Sequence, residues 1–373
     1  MRIRTLLPMA CDGVGPSQTC LNIVRGMNEA GATIDVFVNR MRIPRADLPV
    51  RSLLYAPFSR IPYPLVRGPL TKVLENWYLR TLADEDVAYL WPTASLHIHR
   101  EIHRRSIPIV LEGINTRMKS AKVILERAYA EFGAPAQHEI TEARIREEEE
   151  KLSLATAIFA PSPGVETALE GLPIAAGMIR TSYGIDVPPV LPPLARSHQQ
   201  NKVVFLFCGY ACVRKGIHRI LELWPRMPST AQLRIVGRIE PVIAERFASI
   251  LSSERVDLVG FVDDVATQFA TSDVFVLPSL EEGDPLVTYE AAIHGLPVLA
   301  SPMGAGRMRD AAWVVDPGSP DGLLAALLSL HDSAEIRQQW GERSQRTVTA
   351  FDWSKVGTER LRGLESLLLA VGY

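Results

Sequence analysis

The stretch DVFVLPSLEEGDPLVTYEAAIHGLPVLAS, residues 273–301, sets a strand pattern, a turn, a helix pattern and a second strand pattern in a row. DVFVLPS is a short buried-strand run, and EEGDP sits at its carboxyl end. Asp284 reads as an N-cap and Pro285 as the first helical residue, so LVTYEAAIH is the expected helix and Gly295 its stop. PVLAS at 297–301 returns as a strand. Strand, helix and strand in that order make the unit of a parallel sheet covered by helices. Open sheets of this kind bind ligands beyond the carboxyl ends of their strands. Glu282 and Glu290, eight positions apart, therefore flank the place where a ligand would sit.

The same alternation runs outward from this stretch. KVVFLFCGY (202–210), QLRIVGR (232–238) and VDLVGF (256–261) are strand candidates before it. In the first half, RIRTLLPMA, ATIDVFVN, VAYLW (87–91), IPIVLEG (107–113) and TAIFAPS (156–162) play the same part. Between the first two of these, Leu21, Val24 and Met27 recur on one helix face, and Gly31 supplies a stop. Four prolines between 188 and 193 cannot propagate a helix and suit an extended connector. The reading is an α/β chain with two doubly wound, Rossmann-like domains facing a cleft. The first spans 1–187, a Pro-rich linker 188–201 and the second 202–352. Residues 353–373 form a C-terminal amphipathic helix. The 373 residues suit two domains of ordinary size.

The cleft residues suggest a phosphate between two polyols. A helix start beyond a strand offers unpaired N–H groups and a positive dipole end. Gly283 would let a ligand approach the backbone. An ionised Glu290 can accept hydrogen bonds from vicinal hydroxyls, and Glu282 could reach a second set. In FLFCGYACVRKG a strand ends at Gly209, and Arg214 and Lys215 follow, a fork and a point charge for a diphosphate. A solvated loop is the plain alternative for such a pair, and acids near a helix start are common for dipole reasons alone. CDGVGPSQTC (11–20) resembles a phosphate loop without being GxGxxG or GxxxxGK[ST], which counts against a dehydrogenase and a P-loop NTPase. Gly15 in it is placed to admit a substrate to the backbone.

Together these features resemble the retaining glycosyltransferases of family 4, which have the GT-B fold. The family's E-x7-E element is matched by Glu282-Gly-Asp-Pro-Leu-Val-Thr-Tyr-Glu290 and the AAIHGLPVLA that follows. SDVFVLPS, VGR (236–238), GFVDD (260–264) and the Lys215-Gly216 pair are similar as well. Gly15 lies sixteen residues before Gly31, as a loop glycine of the family does. SPGVETAL and IRTSYGID resemble the segment that closes the first domain. The resemblance implies that Glu290 binds the ribose hydroxyls and that Glu282 faces the transferred sugar. It implies that Lys215, Arg214 and the N–H groups around Leu286 and Val287 hold the diphosphate. The donor is then a nucleotide diphosphate sugar, with no divalent metal and no cofactor. The acceptor hydroxyl belongs to a glycan or lipid-linked sugar. The C-terminal helix is expected to cross back to the first domain.

The departures from the family are specific. Tyr210 stands where the family usually has Arg, and Val14 takes the place of the first Gly of its GG pair. Asp284 replaces a frequent Phe and sets a carboxylate beside a proposed anion site. GAGRMRD (304–310) lacks the usual acid. The family's acceptor-side histidine is absent, and Glu112 or Asn115 are its stand-ins. These changes keep a non-catalytic subunit of a polysaccharide-assembly complex open as an alternative, beside a nucleotide-sugar epimerase of similar fold.

Composition narrows the rest. The net charge of −2 gives no reason to expect nucleic acid. MRIRTLLPMACDG has too short an apolar run for a secretory leader, and no segment reaches a membrane span. The expected location is cytoplasmic, with a loose peripheral seat on the inner face of the membrane left open. Cys11, Cys20, Cys208 and Cys212 show no zinc spacing and read as buried reduced thiols. His97, His99 and His103 read as a solvated basic helix, and Arg144 to Lys151 as an exposed helix face. YAPFSRIPYPLVRGPL (55–70) reads as an irregular excursion that receives the acceptor, touches a membrane or is plain surface.

Overall fold

A computed structural model describes residues 1–13, 15–42, 47–55, 63–172, 177–194 and 202–373. Val14, residues 56–62 of the excursion and residues 195–201 of the linker lie outside the described residues. The first sheet has strands β1 (Arg2–Cys11), β2 (Thr33–Met41), β3 (Val50–Leu54), β4 (Asp86–Leu90), β5 (Ile109–Glu112), β6 (Ala157–Ala160) and β7 (Met178–Arg180). Its order is β3-β2-β1-β4-β5-β6-β7. Helices α1 (Gly15–Glu29), α2 (Tyr63–Thr81), α3 (Leu96–Arg104), α4 (Met118–Phe132), α5 (Glu142–Leu154) and α6 (Pro163–Leu169) connect them.

The second sheet has β8 (Val203–Cys208), β9 (Ala231–Val236), β10 (Val256–Gly260), β11 (Val274–Leu277), β12 (Val298–Ala300) and β13 (Trp313–Val314), ordered β10-β9-β8-β11-β12-β13. Its helices are α7 (Ile217–Leu223), α8 (Pro241–Arg246), α9 (Ala248–Leu251), α10 (Ala266–Ala270), α11 (Leu286–Ile293), α12 (Pro302–Ala305), α13 (Pro320–Asp332) and α14 (Ala334–Val348), and the last helix, α15 (Trp353–Ala370), packs in the core of the first sheet. Every recorded strand pair in both sheets is parallel, for example Val203 to Cys208 against Ala231 to Val236. This is the GT-B arrangement of two Rossmann-like domains. The apolar runs VVFLFC and VFVL explain it, because strands covered on both faces have no solvent side to alternate toward.

β3, β7 and β13 had no counterpart in the sequence reading, being short or interrupted by polar residues. The second half of the expected excursion at 55–70 is helical instead, since α2 begins at Tyr63 and carries Pro69 inside it. α3 is not solvated all round. His99 is buried in it, its Nδ1 on the Ser95 carbonyl at 2.8 Å.

The two domains trade core residues. Ala128, Tyr129 and Phe132 of α4 pack in the core of the second sheet. Tyr289, Ala292 and Ile293 of α11 pack in the core of the first. α15 lies on α1, where Gly26 and Gly357 meet backbone to backbone and a Cβ at either would strike the other helix.

Candidate functional site

Beyond β8 the chain turns at Gly209, whose φ of +131° suits only glycine and whose N–H donates to the Val236 carbonyl at 2.8 Å. A 3-10 turn over Val213–Lys215 follows, ended by Gly216 at φ +72°. The turn is pinned from below: the Val213 N–H donates to Glu240 at 2.9 Å, and Tyr129 of α4 donates to the same carboxylate at 2.5 Å. Arg214 and Lys215 are thereby held over the end of β8, facing the loop that follows β11.

That loop meets the cations with two acids. Lys215 Nζ lies 2.8 Å from Glu282 Oε1, and Arg214 Nη1 lies 3.3 Å from Glu282 Oε2. Ser279 donates to Glu282 Oε1 at 3.2 Å. Burial raises the Glu282 carboxyl, but Lys215 and Arg214 outweigh it and hold the group below its ordinary value. Arg214 Nη1 also reaches Glu281, at 3.0 Å to the carbonyl and 3.3 Å to Oε2. Glu281 in turn accepts from the Thr116 hydroxyl at 2.7 Å and the Thr116 N–H at 3.3 Å, across the domain boundary. Sequence reading passed over both Glu281 and Thr116, and the doubled acid at 281–282 was the only signal for them.

Two expectations for this loop are overturned. Gly283 does not open the backbone to a ligand. Its carbonyl accepts from the Ser162 hydroxyl, and a Cβ there would land on the Ile114 carbonyl oxygen. Glycine is needed because two domains touch at main-chain distance. Asp284 does not cap α11, whose N-cap position is Pro285 with no side-chain bond. Its buried carboxylate accepts from the N–H groups of Tyr183 and Arg307, at 2.8 and 2.9 Å, and from the Tyr289 hydroxyl at 2.5 Å. With three donors it is engaged away from the helix start, which leaves the α11 N–H groups free of it. Burial raises its pKa.

Leu286 and Val287 lead α11 with no side chain capping their N–H groups. One turn on, Glu290 is half-buried, and its carboxylate has no partner among the described residues. Burial alone raises its pKa. Cys208 is the neighbour that senses it: burial pushes that thiol up to about 12, with Glu290 adding to the shift and Lys215 opposing it. Gly209, Lys215, Glu282 and the start of α11 are thus one constellation, with Glu290 on its far side. All four cysteines are free and buried, and no cluster of metal ligands occurs among the described residues.

The first domain contributes less than expected. Gly15 opens α1 at φ +58° with nothing where a side chain would stand, and Asn115 is exposed beside Gly283. Glu112 cannot face an acceptor. It is fully buried and bidentate to Arg360 of α15, at 2.9 and 3.1 Å, with the Tyr89 hydroxyl also donating to it. A buried carboxylate needs such a partner, and the partner lies 248 positions further on. Beside the constellation, Tyr129, Gln137, Glu139, Tyr210, Arg214 and Glu240 line a cavity of about 430 Å³ between the domains.

Two facing parallel sheets with charged loops at their adjoining strand ends define the GT-B class. Residues 202–333, within the second domain, match the family described as glycosyl transferases group 1. The phosphatidyl-myo-inositol mannosyltransferase of Mycolicibacterium smegmatis is 29% identical over 197 residues, covering 49% of this chain and 50% of that protein. The MMP alpha-(1->4)-mannosyltransferase of Mycolicibacterium hassiacum is 29% identical over 42% of this chain and 41% of its own length. The chain therefore spans about half the length of these curated relatives, or less. Among solved structures, Anabaena HepE in complex with UDP and glucose superposes with a TM-score of 0.69 at 15% identity, over 98% of this chain and all of that one. The sucrose-phosphate synthase of Thermosynechococcus elongatus gives 0.72 at 17% identity, over 99% and 100%. Among the described residues no helix is long and apolar enough to cross a membrane.

Proposed function

We propose that the protein is a retaining glycosyltransferase that moves a sugar from a nucleotide diphosphate sugar to an acceptor hydroxyl of a glycan or lipid-linked sugar. The observation that carries this reading is the unpartnered Glu290 carboxylate, set across the uncapped start of α11 from Lys215. A half-buried carboxylate without a partner is costly unless a ligand supplies one, and paired ribose hydroxyls are donors of the right kind. The helix start and Lys215 suit the phosphates. In this reading Glu282, seated on Lys215, faces the transferred sugar beside its leaving phosphate. Fixed cations and N–H dipoles take the developing charge, so this reading uses no divalent metal. HepE binds UDP and glucose, which supports a donor of the same class here.

Thermal-shift screening with nucleotide diphosphates and their sugars tests the reading, since a ligand that binds only the folded state raises its stability. We expect stabilisation of the wild type that is lost in both Glu290→Ala and Lys215→Ala. If both variants keep the full shift, the assignment is wrong. Tyr210, 47% exposed where a diphosphate-binding arginine would be expected, favours a second reading as a non-catalytic subunit. That reading predicts weak or no shift and no consumption of donor.

A further inference from the structure

Among the described residues, only one edge of the Arg214 guanidinium is engaged. Its recorded bonds to Glu281 and Glu282 all run through Nη1, and no partner among the described residues holds Nε or Nη2. The side chain is 30% exposed and lines the interdomain cavity. Its backbone is fixed as well, the Leu280 N–H donating to the Arg214 carbonyl at 2.8 Å. Glu281 is 2% exposed and completes a chain from the first domain: Thr116 to Glu281 Oε1, then Oε2 to Arg214 Nη1. A carboxylate that takes one terminal nitrogen leaves the Nε–Nη2 edge as a two-toothed donor, the geometry that matches two oxygens of one phosphate.

We infer that Glu281 is a positioning residue that aims the free edge of Arg214 at the second phosphate of a nucleoside diphosphate, and that Thr116 makes this aim depend on contact between the domains. The inference rests on the donor-site reading above and deepens it. It assigns to Arg214, held by Glu281, the contact that Tyr210 cannot make. Glu282 has a different part, because its carboxylate is shared with Lys215 and bonds no first-domain group among the described residues.

The test is calorimetric titration of the full chain with UDP, GDP and ADP, each beside its monophosphate. The wild type is expected to prefer the diphosphate of at least one base. Glu281→Gln and Arg214→Lys are each expected to lower the diphosphate affinity about tenfold while leaving the monophosphate within about twofold, since only the bond to the second phosphate is lost. Thr116→Val should act in the same sense by about threefold, and it decides the matter if Glu281→Gln does not fold. A merely structural Glu281 would weaken both nucleotides together, and that outcome overturns the inference. So does an unchanged ratio in Glu281→Gln or, should that variant not fold, in Thr116→Val. If the wild type binds none of the six nucleotides, the donor-site reading falls and takes the inference with it. A wild type that binds while the ratio stays fixed removes the role of Glu281 alone.

Discussion

Two of the seams along which the domains meet are made of opposite chemistry. At the α4 seam, Phe132 packs edge-on to His218 with centroids 5.4 Å apart and tilted against Phe247 at 6.3 Å. Arg246 lies over the same ring at 4.5 Å. At the 281–284 seam the contacts are polar: Thr116 on Glu281, Ser162 on the Gly283 carbonyl, Tyr183 on Asp284, and Arg307 on Glu166 at 2.5 Å. Apolar surface has no better partner in water, so separating the first seam costs its full burial. Hydrogen bonds and ion pairs exchange for water or ligand at a small net cost. The chemistry thus places a durable joint under α4 and exchangeable contacts in the 281–284 loop, while α11 behind that loop keeps its own apolar hold on the first core.

The sharpest way to break this contrast is Phe132→Ala. Truncating a buried ring at a packed joint costs about 3–5 kcal/mol. We expect that loss in the denaturation midpoint of the full chain, with α4 amides exchanging faster. A loss below about 1 kcal/mol would mean that α4 is not anchored in the second domain, because even a partly collapsed site costs more than that.

Gly283→Ala strikes the other seam at its closest point. The added methyl would occupy the Ile114 carbonyl oxygen, and backbone cannot swing aside as a long side chain can. Overpacking of this kind costs about 1–3 kcal/mol, relieved here by parting the domains. Small-angle scattering should show a larger radius of gyration, with the melting temperature lowered less than by Phe132→Ala. Unchanged scattering and stability would show that the domains do not close on Gly283.

The same contrast explains what could be read in advance. The strands of the second domain were legible because VVFLFC, QLRIV and VFVL are local runs bounded by turn residues. Glu282 and Glu290 read together because strand, loop and helix follow one another closely, and Lys215, on the loop after another strand, joined them through the family resemblance. What failed was the choice of partner. Glu112 looked like an acceptor-side acid because Arg360 is far off in the chain. Asp284 looked like a cap because nothing nearby announces Tyr183 and Arg307 as competing donors. α4 carries an ordinary amphipathic pattern, which says that one face is buried but not in which domain. Asp284 to Tyr183 and α4 to the second core are contacts across the seam, and Glu112 to Arg360 joins segments 248 positions apart; neither spacing nor composition encodes such contacts.

The smallest expected effect concerns pH and again sits under α4. Burial, with Arg219 and Arg246 nearby, lowers the pKa of His218 from 6.5 to about 3, and its Nδ1 has no partner among the described residues. The unfolded chain therefore takes up a proton near pH 6.5 that the folded chain refuses until about pH 3. Above pH 6.5 the residue is neutral in both states and stability does not depend on it. As pH falls through that window the unfolded state binds more protons, so stability declines, by about 1 kcal/mol between pH 6.5 and 5.5. His218→Leu should remove that part of the slope. It should not flatten the profile, because burial also lowers His99 to about 4 despite its bond to the Ser95 carbonyl. Denaturation curves for both proteins at pH 5.5, 6.5 and 7.5 settle the point. Parallel profiles would mean that His218 reaches water, and the α4 seam would then be less tightly closed than its packing indicates.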